Sequence, residues 1–318
     1  MLLVACAGGT AVWLKHAYDR PGLLAEAHNI VVPRGDVRSI SERLQEAGVI
    51  ADARPFRIWA WLTRGDGPLR AAEFNFPAHA SLRDVFGVLR SARPVQHFVT
   101  IPEGLTAHQI GAILARADDA TGSVGPIAEG SVLPDTYAYE YGTARATILA
   151  RAQAAMTRAL DDAWANRASG LGLSSPRQVL ILASIVERET AKPEERPHIA
   201  AVYLNRLRLG MRLQADPTVA YAVSGGTGTL DRSLTRQDLA RDDPFNTYRN
   251  AGLPPGPICS PGLASIQAVT HPAASDDLYF VADGSGGHAF ARTMEAHDRN
   301  VARWKAIVAP SGSAGSRD

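Results

Sequence analysis

An α+β fold is predicted by three features of the 318-residue chain. A strand–turn–helix grammar recurs three times in the first third, a helix apolar on every side lies near the middle, and two short strands flank a Gly-rich turn near the end. The recurring segments are IVVPRGDVRSISERL (Ile30 to Leu44), FNFPAHASLRDVFGVL (Phe74 to Leu89) and VTIPEGLTAHQIGAIL (Val99 to Leu114). Each passes from a short extended apolar stretch through a Pro and capping residues into an amphipathic helix. The helical anchors Ile40/Leu44, Val85/Leu89 and Ile110/Leu114 stand four apart, so each pair lies on one face. Units this small cannot bury a core alone and should pack together. They define a small α+β region over residues 28–118.

The elements around the repeats follow in order. MLLVACAGGTAVWL is apolar from Met1 to Leu14 and turns charged at Lys15. The run is shorter than the roughly 20 residues of a bilayer span. It reads as a membrane anchor over residues 1–20 whose start lies upstream, with a signal h-region or a soluble core helix as alternatives. After the repeats, RATILARAQAAMTRALDDAWANRA (residues 145–168) carries Ile148, Ala152, Met156, Leu160 and Trp164 near one stripe of a helix. Two more helices are expected from Pro176 to about Ala191 and from Pro197 to about Leu209. SGGTGT and GLPPGPICSPG then break the chain repeatedly. LYFVADGSGGHAFA reads as the strand pair. A last helix runs from Met294 to about Ile307, and residues 309–318 form a tail that is disordered by composition.

Composition removes several classes of function. The chain is 46% hydrophobic and 20% charged with a formal net charge of +1, so no basic excess points to a nucleic-acid partner. Cys6 and Cys259 supply neither a disulfide framework nor a metal set. His271, His288 and His297 lack the close pairing of a zinc site. SGGTGT has no following Lys-Ser/Thr and is not a P-loop, and Ser184 and Ser265 sit in no nucleophile elbow. No metal or cofactor is expected.

The chemistry concentrates at PRQVLILASIVERET, Pro176 to Thr190. Ser175 at N-cap, Pro176 at N1 and Gln178 at N3 read as a capping box with the preferred proline. From Val179 to Val186 only Ser184 is polar, so this helix is enclosed by protein. It then delivers Glu187 and Glu189, about 200° apart around the axis, which cannot share a cleft. Glu187 continues the stripe of Leu180 and Ser184; Glu189 continues that of Leu182 and Val186. One should face a pocket while the other meets solvent or an internal partner. Burial favours the protonated carboxyl, the property a general acid needs. Pattern alone leaves open that ERE is simply the solvated end of an emerging helix.

The surrounding motifs resemble those of the endolytic murein transglycosylases, the YceG-like (MltG-like) family. LASIVERET followed by EERPHIAAVYLNRLRLGMRLQADPTVAYA is similar to the family signature. So are EGSVLPDTYAY (Glu129 to Tyr139), DDPFNTYRNAGLPPGPICSPG (Asp242 to Gly262) and GGHAFARTMEAHDRNV (Gly286 to Val301), in the family's order. Ala215 replaces the usual Ser, Ser260 an Asn and Phe245 a Tyr, and Ser131 and Val132 soften the EG motif.

The resemblance implies a LysM-like region over residues 28–118 and a catalytic domain over 119–308. It implies membrane-anchored cleavage of peptidoglycan glycan strands between N-acetylmuramic acid and N-acetylglucosamine, leaving 1,6-anhydro ends. The catalytic part would face the periplasm or exterior, with cell-wall synthases as possible partners. It assigns Glu187 as general acid and base, and the opposite direction of Glu189 on the helix leaves that residue a supporting role. Glu189, Gln214, Asp216, Asn246, Tyr248 and His288 are candidate substrate-binding residues. Asp216 also reads as an N-cap before Pro217, Asn246 as a turn residue, and His288 as a buried, hydrogen-bonded histidine. A muramidase-type hydrolase pairing Glu187 with Asp135 or Asp216 is a second reading, and a non-catalytic peptidoglycan-binding scaffold a third.

Overall fold

The computed structural model describes residues 12–308. The tail at 309–318 and most of the expected anchor therefore lie outside the described residues. No described helix is long and apolar enough to cross a membrane. The architecture is α+β, and the chain divides into two compact units.

The first unit comprises residues up to Phe98 together with Asp118–Thr121 and Ala138–Ala144. It contains helix α1 (residues 12–19), β1 (His28–Val31), α2 (Val37–Glu46), α3 (Ala53–Leu62), β2 (Glu73–Phe76) and α4 (Leu82–Ser91). β1 and β2 pair antiparallel, with Ile30 opposite Phe74. Ile40, Leu44, Phe56, Phe74, Phe76, Val85 and Leu89 make its core, so the helical anchors of the first two repeats do pack together. α4 starts with a reciprocal capping box between Ser81 and Asp84.

The third repeat parts from the other two. Its strand β3 (Gln96–Thr100) pairs not with β1 or β2 but with β4 (Thr136–Glu140), and the division between the units falls inside both strands. Its helix α5 (Ala107–Ala115) belongs to the second unit and packs on α6 (Arg145–Ala165). Arg145 fixes this junction by donating to the carbonyls of Leu114, Ala117 and Gly122 at 2.9–3.0 Å. The region read as continuous over 28–118 thus changes unit at Val99.

In the second unit, α7 (Pro176–Glu189) is the central element. It packs against α6, α8 (Arg196–Arg208), α9 (Asp216–Val223) and α11 (Leu263–Thr270), with α10 (Arg236–Leu239) between the last two in sequence. Every residue from Val179 to Val186 is buried, each large apolar one contributing about 1.5–3 kcal/mol. The lone polar member is satisfied: Ser184 Oγ donates to the Ile181 carbonyl (2.7 Å) and accepts from the Ile258 N–H (3.0 Å). The expected capping box is offset by one residue. Ser175 accepts from the Gln178 N–H, but the Gln178 side chain turns to Ser174, accepting from its N–H (2.7 Å) and hydroxyl (3.1 Å). β5 (Tyr279–Ala282) and β6 (His288–Ala291) form the expected antiparallel hairpin, followed by α12 (Met294–Val308).

Candidate active site

The two carboxylates at the end of α7 diverge as their spacing requires. Glu187 points to the side occupied by the start of α8 and the loop before α11. Arg196 Nη2 donates to its Oε1 at 2.9 Å, and the Gly262 N–H donates to its Oε2 at 2.9 Å. The side chains of Arg196 and Glu187 are only 9% and 4% exposed, so this ion pair is shut away from water. Glu103 reaches the same guanidinium at 3.4 Å. Both oxygens of Glu187 are therefore occupied by protein donors.

Glu189 points into a cavity of about 280 Å³ lined by Tyr203, Arg206, Gln214, Asp216, Tyr248 and His297, among others. The Tyr203 hydroxyl, on a side chain wholly buried within α8, donates to Glu189 Oε1. Burial pushes the Glu189 carboxyl up from its ordinary 4.5 to about 7, and the charge of Asp216 adds to the rise. Tyr203 and the Arg206 guanidinium act in the other direction. The raised carboxyl expected at the end of this helix is thus Glu189. The phenol of Tyr203 is itself driven well above its ordinary value, by burial first and by Glu189 second, so it stays a donor.

Sequence segments far apart build the mouth of this cavity. Gln214 stands in the left-handed region (φ 52°), unusual for a residue with a side chain. Its backbone is held from both sides. Arg206 Nη1 donates to the preceding carbonyl of Leu213 at 2.6 Å, and the Gln214 N–H donates to Thr247 O at 3.1 Å. Asp216 does not cap its helix, because Ala215 occupies the N-cap position and Asp216 begins the first turn. Its carboxylate instead accepts from the Tyr248 hydroxyl at 2.6 Å. Gln214 and Asp216 are exposed at the rim, while Glu189 is partly buried behind them.

Two expected substrate residues are engaged elsewhere. Asn246 is buried; its amide nitrogen donates to the carbonyls of Leu239 (3.1 Å) and Arg241 (2.7 Å), and its oxygen accepts from the Tyr248 N–H (3.0 Å). It staples the loop that carries Tyr248 and has no amide group free for a sugar. His288 binds Glu195, through Nδ1 at 2.7 Å and through its N–H at 2.9 Å. The same carboxylate accepts from Thr190, the residue after α7. His288 therefore braces the end of α7 and lies outside the Glu189 cavity. Asp135 caps its own neighbour, accepting from the Thr136 N–H at 2.7 Å.

Sequence reasoning passed over Tyr203, Arg206 and Arg196. All three lie on α8, where the only signal was an arginine or a phenol inside a run otherwise fit for a core. Among the described residues, no group of three or more His, Cys, Asp or Glu side chains is arranged to hold a metal ion.

A carboxyl that keeps its proton near neutrality, beside a second carboxylate and an amide at the rim of an open cavity, defines an acid–base site of the carboxyl type. The fold around it has a family. The chain belongs to the YceG-like family, whose model matches residues 30–303. Two relatives named endolytic murein transglycosylase are similar to it. One from Streptococcus pneumoniae is 30% identical, covering 85% of this chain and 57% of the relative. One from Bacillus subtilis is 28% identical, covering 85% of this chain and 83% of the relative. The chain thus spans little more than half the length of the pneumococcal relative. A YceG-like protein from Listeria monocytogenes, solved as a crystal structure, has 28% identity and a TM-score of 0.53 over 86% of this chain and 99% of that one.

Proposed function

We propose that this chain is a lytic transglycosylase that cuts within peptidoglycan glycan strands, with Glu189 as its general acid and base. The observation that carries the assignment is the Glu189 carboxyl, held near pKa 7 in a cavity that also receives Gln214, Asp216 and Tyr248. The naming of the relatives supports the substrate class. The resemblance in the motifs favoured Glu187. Its occupied oxygens and its buried guanidinium partner favour a positioning role for it, holding the end of α7 to α8 and to Gly262.

The reaction needs one carboxyl. Glu189 delivers its proton to the oxygen between N-acetylmuramic acid and N-acetylglucosamine as the C1–O bond breaks. The positive centre at C1 is met by the substrate's own acetamide and by the nearby Asp216 carboxylate. The ionised Glu189 then takes the proton of the C6 hydroxyl while that oxygen bonds to C1, which closes the 1,6-anhydro ring and restores the acid. Tyr203 holds Oε1 throughout, so Oε2 carries the proton. Gln214 supplies amide hydrogen bonds to the sugar.

Asp216 in the same cavity favours one alternative, a hydrolase in which two carboxyls flank the bond. Mass spectrometry of digested sacculi separates the two. Anhydromuramic ends support the transglycosylase, and reducing ends formed by water refute it. The apolar run at Met1–Leu14 supports a membrane-attached location with the catalytic unit outside the cytoplasmic membrane, near cell-wall synthases. Fractionation of cells tests it, and a soluble cytoplasmic product would refute it.

A further inference from the structure

The first unit carries an apolar face that its own core does not use. Helix α3 turns Ala53, Phe56 and Ala60 inward. On another face, Ile58, Trp61 and Leu62 stand three and four residues apart and are 39%, 62% and 51% exposed. α1 packs beside it: the Trp59 indole N–H donates to the Leu14 carbonyl at 3.0 Å, and the rings of Tyr18 and Trp59 meet at 4.3 Å. α1 adds exposed Val12 and Trp13 to the same unit. A shallow apolar depression between the helices is lined by Leu14, Tyr18, Trp59 and Leu62 together with Lys15, Asp19 and Arg83.

Cations accompany these apolar groups. Arg64 lies over the ring of Trp61 at 4.9 Å, and Arg54 sits one turn before Ile58. Arg54 and Arg83 are paired with Asp52 and Asp19. Lys15 and Arg64 have no carboxylate within ion-pair distance among the described residues. Exposed tryptophans with aliphatic neighbours and flanking uncompensated cations match the boundary between acyl chains and anionic headgroups. The chain itself points the same way, because the apolar run of Met1–Leu14 leads directly into α1.

We propose that the face of the first unit formed by α1 and the Ile58–Trp61–Leu62 side of α3 docks on an anionic lipid bilayer surface. This contact is separate from any insertion of the N-terminal run, and it does not depend on which carboxyl cleaves the glycan. Ile58, Trp61 and Leu62 enter the interfacial region, while Lys15 and Arg64 reach the headgroups. The occupant is a bilayer because the apolar groups are matched with unpaired cations rather than with a self-complementary charge pattern.

Hydrogen exchange of the full chain, with and without vesicles, tests this at the level of the element. On vesicles mixing phosphatidylglycerol and phosphatidylcholine, the amides of residues 53–62 should exchange more slowly. On pure phosphatidylcholine the protection should be much weaker. The triple variant Ile58→Ser, Trp61→Ser, Leu62→Ser should lose that protection and bind mixed vesicles at least roughly tenfold more weakly. The double variant Lys15→Glu, Arg64→Glu keeps the apolar groups, and with them the fold, and should lose the preference for anionic vesicles. Protection confined to residues before Pro21 overturns the proposal. So does equal protection on neutral vesicles, and so does α3 protection that rises with protein concentration in the absence of lipid, which would assign the face to a second copy.

Discussion

Glu189→Gln isolates the feature on which the mechanism depends, because it keeps the shape of the side chain and removes its titration. In the unfolded chain the carboxyl ionises near its ordinary 4.5, whereas in the folded chain it keeps its proton to about 7. Between those values the folded state binds more protons than the unfolded state. Stability therefore falls as pH rises through this window, and the full loss persists above it. At about 1.4 kcal/mol per pH unit, the rise corresponds to ~3 kcal/mol. Gln is neutral at every pH, so the variant should gain up to ~3 kcal/mol over the parent at about pH 8 and almost nothing at about pH 4. Comparing variant with parent cancels other titrations, including that of Glu129, whose carboxyl is also raised by burial. Denaturant unfolding at the two pH values supplies the measurement. Cleavage of sacculi by the folded variant should drop by roughly 10²-fold or more. An equal gain at both pH values would show that Glu189 is not the strained carboxyl, and unimpaired cleavage would remove it from the chemistry.

Three further outcomes follow from the geometry. Glu187→Ala leaves the buried Arg196 guanidinium with only Glu103 at 3.4 Å, so thermal melting should show a loss of about 3–5 kcal/mol. Cleavage well below the melting point should survive, and its abolition in a folded protein would return the acid role to Glu187. Tyr203→Phe removes a donor that favours the ionised form of Glu189. The alkaline limb of its pH–rate profile should move to higher pH while the plateau falls; a lowered plateau with an unmoved limb would make Tyr203 a packing residue only. Gly130→Ala combines a left-handed backbone (φ 73°) with a new methyl group 2.6 Å from Pro257 Cγ. Unfolding measurements should show at least about 1–3 kcal/mol of destabilisation, and a neutral result would mean that the loop yields freely.

What the sequence made legible is local. α7 could be read because Ser175, Pro176 and an unbroken apolar run specify its start and its burial within a few residues. The repeats revealed their helices because pairs such as Ile110 and Leu114 fix a face, but not which unit that face joins. That depended on the pairing of β3 with β4 and on the hold of Arg145 on the end of α5. Asn246 and His288 looked like substrate ligands because a free amide and a free imidazole have the same letters as bound ones. Asn246 is bound to carbonyls five and seven residues back, and His288 to a carboxylate 93 residues away.

The two glutamates show where the boundary falls. Helical spacing required that they diverge, and they do, one toward Arg196 and Gly262, the other toward Tyr203 and Asp216. Spacing has no term for what waits on each side. The partners of Glu187 are a guanidinium nine residues on and an amide 75 residues on, and together they occupy both of its oxygens. Around Glu189 loss of water and a second carboxylate outweigh the buried phenol of Tyr203 and the Arg206 guanidinium, and the sum favours the acid. Two residues with one side chain in one helix thus meet different surroundings from α8, α9 and the loop before α11. The pH-dependent gain from Glu189→Gln, set against the loss from Glu187→Ala, measures that difference in one pair of unfolding experiments.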